Sequence, residues 1–81
     1  MEIKILGTGC PKCKKLEQLT REVVAQNGFS ATISKVEDIM DIMTYNIMAT
    51  PALVVNDKVE IKGRLPTARE IQEVLSKYST T

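Results

Sequence analysis

A chain of 81 residues can surround one hydrophobic core only, so it is read as a single domain over residues 1–81. With 43% apolar and 26% charged residues it has a globular balance, which excludes a disordered or membrane-embedded chain. Eleven basic against ten acidic residues exclude the basic field that would draw nucleic acid or an anionic membrane surface.

Residues 2–6 alternate Glu, Ile, Lys, Ile, Leu and stop at Gly7, which predicts a first strand, β1. The apolar stretch is too short for a secretory leader, so the expected compartment is the cytoplasm. From Pro11, a residue suited to the first helical position, Leu16, Leu19, Val23 and Val24 recur at helical spacing until Asn27-Gly28, which predicts helix α1. Phe29, Ala31 and Ile33 among small and polar residues predict strand β2 over residues 29–35. Glu37 and Asp38 then provide first-turn acids for helix α2, with Ile39, Met40, Ile42 and Met43 as its core stripe, fading near Tyr45 and Asn46.

Ala52-Leu53-Val54-Val55, the turn pair Asn56-Asp57, and Val59-Glu60-Ile61 predict a hairpin of strands β3 and β4 that ends at Lys62-Gly63. Thr67 with Glu70 makes a capping box for helix α3, whose apolar face is Ala68, Ile71, Val74, Leu75 and Tyr78, with fraying over residues 79–81. The order βαβαββα predicts an α/β fold: one four-stranded mixed sheet, three helices on its two faces, and β1 parallel to β2 through a right-handed crossover.

The chemistry centres on Cys10-Pro11-Lys12-Cys13. In a reducing compartment a CxxC pair is catalytic or metal-binding rather than structural. As a staple it would close only a four-residue loop, contributing roughly 2 kcal/mol. At a helix start, the first sulfur lies beside unpaired N–H groups and the positive end of the helix dipole, which favours thiolate and makes Cys10 the expected nucleophile. Lys12, Lys14 and Lys15 act in the same direction, weakened by salt. Cys13, one turn inside, is the expected resolving thiol, and Pro11 stiffens the turn between them. Structural zinc asks for about four ligands, and the chain has no histidine and no third cysteine. Two thiolates do suffice for Cu(I), so a soft-metal carrier stays open.

Gly7-Thr8-Gly9-Cys10-Pro11-Lys12-Cys13 at a first helix, the βαβαββα order, and Thr50-Pro51-Ala52-Leu53-Val54-Val55 at the third strand together resemble the thioredoxin and glutaredoxin superfamily. The likeness is strongest to the short microbial glutaredoxin-like redox-active disulfide proteins. Considered alone, Pro51 would be an ordinary trans proline. The resemblance implies instead that Thr50-Pro51 is cis and packs against the cysteines, with Thr50 backbone groups, Pro51, Pro11 and Lys12 contacting an extended substrate segment.

The resemblance further implies a thiol–disulfide oxidoreductase or redox carrier, monomeric, with no cofactor or metal of its own. Its partners would be disulfide-containing proteins and, as reductant, a flavoprotein of the thioredoxin-reductase type. Two departures bear on this. Gly9 and Lys4 stand where thioredoxins carry a tryptophan and a buried aspartate, leaving Lys4 a candidate for tuning the thiols. Lys12 and Gly63-Arg64 replace the glutaredoxin aromatic and Gly-Gly-acid signatures, which puts glutathione in doubt. Tyr45 and Tyr78 are read as packing residues, Gly63 as a tight strand-to-helix link, and Arg64 as solvated or substrate-facing. The alternative, a Cu(I) carrier, would follow the βαββαβ order of heavy-metal-associated domains.

Overall fold

Strand β1 (Glu2–Leu6) lies inside the sheet, parallel to β2 (Thr32–Val36) on one side and antiparallel to β3 (Ala52–Val55) on the other. Strand β4 (Lys58–Lys62) completes the order β2-β1-β3-β4. The computed structural model describes residues 1–79. Interior position follows composition: all four β3 residues are buried, as expected for a strand covered on both faces, whereas the edge strands β2 and β4 are largely open, with Lys35, Lys58 and Lys62 exposed and only Ile61 buried.

The pleat divides the core. Ile3, Ile5, Leu53, Val55 and Ile61 point toward Leu16 and Val23 of helix α1 (Pro11–Asn27) and toward Ile71 and Leu75 of helix α3 (Ala68–Ser76). On the opposite face Leu6, Ala52 and Val54 meet Ile47 and Ile42, the latter from helix α2 (Ile39–Thr44).

The local signals act as their chemistry requires. Cys10 is the N-cap of α1, Pro11 takes the first turn, and Gly28 ends the helix at φ 66°, its N–H donating to the Val24 carbonyl. Thr20 is fully buried in α1 because its hydroxyl donates back to the Leu16 carbonyl at 2.8 Å. Asn56 and Asp57 both take positive φ in the β3–β4 turn, and Thr67 and Glu70 form the reciprocal capping box of α3.

Four expectations need correction. Strand β2 starts at Thr32, opposite Glu2, because Phe29 and Ala31 are used as packing against the α1–α3 core before pairing begins. Asp38 is the N-cap of α2, its Oδ1 accepting from the Met40 N–H at 2.8 Å, and Asp41 is the first-turn acid, leaving Glu37 outside the helix. The expected core stripe of α2 shrinks to Ile42, with Met40 71% and Met43 61% exposed. A helix of six residues presents one position squarely to the sheet. Ala68 is also exposed, since it opens the first turn of α3 ahead of the packed face. The fraying expected at residues 79–81 falls largely outside the described residues.

Candidate active site

The site forms where β1 ends. Leu6 pairs with Ala52, and Ala52 pairs with Lys62, so the next residues along, Gly7, Pro51 and Gly63, make a row across the end of the sheet. The Gly63 N–H donates to the Pro51 carbonyl at 3.0 Å, and the Gly7 N–H donates to the Val36 carbonyl at 3.0 Å. Gly63 keeps φ at 73°, which makes the turn out of β4 affordable for glycine alone. The Thr50–Pro51 peptide is cis, as the family resemblance implies, and Pro51 is buried.

The dithiol stands at the Gly7 end of this row. Cys10 and Cys13 are joined in a disulfide, their Cα atoms 5.0 Å apart. The two sulfurs occupy different surroundings. Cys10 is partly exposed at the N-cap, where its Sγ accepts the Cys13 N–H at 3.2 Å. Cys13 is 5% exposed and lies against Gly7, so close that a Cβ on Gly7 would overlap its Sγ. Pro11 and Lys12 are exposed between them, and Lys14 and Lys15 are exposed on the same turn.

Thr50 is half-buried and, with Thr8, borders a groove of about 570 Å³. Ile39, Ile42, Met43, Ile47 and Met48 line the rest, with Asn46, so no charged residue faces it. Of the two methionines expected in the core, Met43 lines this groove, and both Met40 and Met43 stand on the surface. A six-residue helix over a small core was the signal that they had nowhere to go.

Lys4 does not serve the thiols. Its ammonium donates to the Tyr45 hydroxyl at 3.0 Å and pairs with Glu2 at 3.5 Å and Asp57 at 3.6 Å. Asp57 sits in the hairpin turn at the opposite end of β1 from the cysteines, so the charge points away from them. The Tyr45 hydrogen bond is the main reason that the Lys4 pKa is raised. Arg64 forms a two-pronged pair with Glu70 at 3.0 and 2.6 Å, and Tyr78 donates to Glu60. Sequence reading passed over these partners because each joins residues from different elements.

Among the described residues there is no cluster of three or more side chains able to hold a metal ion, and no helix long and apolar enough to cross a membrane. The Thioredoxin domain family profile matches residues 1–76. The chain belongs to this family. It is 37% identical over 76 residues to a thioredoxin of Methanothermobacter thermautotrophicus, covering 94% of this chain and 99% of that one. It is 36% identical over 76 residues to a thioredoxin of Methanocaldococcus jannaschii, covering 94% and 87%. A disulfide-bonded CxxC on this thioredoxin frame is the site of a thiol–disulfide oxidoreductase, with protein disulfides as the substrate class and a reductase as partner. The copper-carrier alternative finds no support in the comparisons, and the element order is not the βαββαβ it would follow.

Proposed function

We propose that this thioredoxin-like chain reduces disulfides in other proteins, with Cys10 as the attacking thiolate and Cys13 as the resolving thiol. The observation that carries the reading is the asymmetry of the pair: an N-cap sulfur accepting a backbone N–H, and a buried sulfur one turn inside. An N–H aimed at the Cys10 sulfur favours its anion. Cys10 attacks the substrate disulfide, one substrate thiolate leaves, and Cys13 then displaces the second while closing the Cys10–Cys13 bond. A reductant returns two electrons and restores the dithiol.

The substrate segment lies in extended form against Thr50 and Pro51, beside Pro11 and Lys12, with an apolar side chain in the groove of Ile39, Met43 and Met48. Methionines suit a surface that accepts varied partners. A flavoprotein of the thioredoxin-reductase type is the favoured electron source, and the cytoplasm the favoured compartment. Glutathione fits less well, because Arg64, at the position of the missing signature, is already committed to Glu70.

Turnover of a protein disulfide with dithiothreitol as donor tests both parts. Reduction should be lost in Cys10→Ser. Met43→Glu should raise KM for the protein substrate severalfold while leaving a small aromatic disulfide unaffected. Equal activity of wild type and Cys10→Ser would overturn the function, and an unchanged KM would remove the groove from it.

A further inference from the structure

Resolution needs a proton acceptor. Cys13 is buried, and a thiol of ordinary pKa, about 8.5 or higher in apolar surroundings, is mostly protonated at neutral pH. Only its anion can attack the Cys10 mixed disulfide.

A cavity of about 50 Å³ opens against Cys13, lined by Ile5 of β1, Gly7 and Gly9 of the β1–α1 link, Lys14 and Glu17 of α1, Lys35 of β2, and Glu37. That is room for water, since about 10–15 Å³ of space for its centre is enough to hold a molecule. The charged groups facing it are therefore Lys14, Glu17, Lys35 and Glu37, β1 contributing none. Glu17 stands four residues after Cys13, on the same face of α1. Its carboxylate is fixed from two sides, by Lys35 Nζ at 3.7 Å and by Arg21 Nε at 3.1 Å, and its side chain is only 21% exposed. Glu37 is exposed and lies toward Gly9, at the mouth.

We propose that Glu17 is the proton acceptor for Cys13, reached through one water in this cavity and held in place by Lys35. The inference rests on Cys13 being the resolving thiol. In the mixed disulfide the Cys13 proton passes to the Glu17 carboxylate. The Cys13 thiolate attacks Cys10 Sγ, the bond between Cys10 and the substrate sulfur breaks, and the substrate leaves as thiolate. The dithiol is oxidised by two electrons, the substrate disulfide is reduced by two, and the proton goes from Glu17 to solvent. In the reverse direction, as a reductant opens the disulfide, Glu17 returns a proton to Cys13. This places the acid on the helix that carries the cysteines, whereas Lys4, in the strand position where thioredoxins keep an aspartate, faces away.

Stopped-flow mixing of the reduced protein with a chromogenic aromatic disulfide separates the steps. The first thiophenolate reports Cys10 attack and the second reports resolution. In Glu17→Gln the second phase should slow at least about tenfold at pH 7, the low end of general-base effects being tempered by solvent. The first phase should persist, and the deficit should shrink as pH rises, because more of Cys13 then ionises unaided. Glu22→Gln, which removes the same charge from an exposed site on the same helix, should leave both phases within twofold. A second phase within twofold of wild type in Glu17→Gln, a deficit that is constant with pH, or a larger loss in Glu37→Gln would overturn the assignment. Absence of the first phase in wild type would instead overturn the proposed function.

Discussion

At Gly7 the backbone of β1 passes so close to Cys13 that any side chain would displace its sulfur. Gly7→Ala overpacks the site, an effect of about 1–3 kcal/mol. The reduced Cys13 can rotate away, but the disulfide form holds the sulfur in place. The oxidised state should therefore lose more, making the disulfide easier to reduce by roughly 30 mV per 1.4 kcal/mol of the difference. Redox equilibration of both proteins against dithiothreitol measures this, and an unchanged potential would show that the sulfur has room to move. The cysteines themselves were legible in the sequence, since a CxxC before a helical pattern is a local signal. What Gly7 does was not, because the close approach is made by a residue six positions away folding back against the end of its own strand. Glu17 is a similar case: an acid in a helix gains its proposed role only when Lys35 and Cys13 are placed around it.

Between β4 and α3, Arg64 is clamped onto Glu70, which also accepts the Thr67 N–H as part of the cap. The Arg64 hydrogen bonds are the main reason, with the Thr67 backbone N–H second, that the Glu70 pKa falls from 4.5 to about 2. A carboxylate depressed in the folded state adds stability that is complete above its unfolded pKa and is lost as pH falls through the folded one. Its share should therefore decline between pH 4.5 and about 2. In Arg64→Met the fall of Tm across that window should be shallower than in wild type. Equal slopes would mean that the exposed pair contributes nothing measurable. The α3 cap was readable because Thr67 and Glu70 are three residues apart, while the Arg64 contact spans a turn whose path only the fold reveals. Helix α2 was misread in its packing for a related reason. Periodicity showed an apolar stripe, but burial depended on how little of the sheet face was free to receive it.

Across the molecule, the order βαβαββα and the two-faced core were legible because each strand and helix carried its own period and its own stop. The cis Thr50–Pro51 peptide was not a property of its local sequence. It followed from family likeness, and in the fold it lies in a row with Gly7 and Gly63 across the end of the sheet. Cys13 is buried against Gly7 while Cys10 stays partly exposed at the N-cap, and this inequality of the two sulfurs is the core of the proposed mechanism. The most direct test reacts reduced Cys13→Ser and Cys10→Ser separately with a peptide disulfide and reads the intact masses. Cys13→Ser should accumulate a stable mixed disulfide at Cys10, and Cys10→Ser should remain free over the same time. A rapid adduct at Cys13, or none at Cys10, would contradict the assignment.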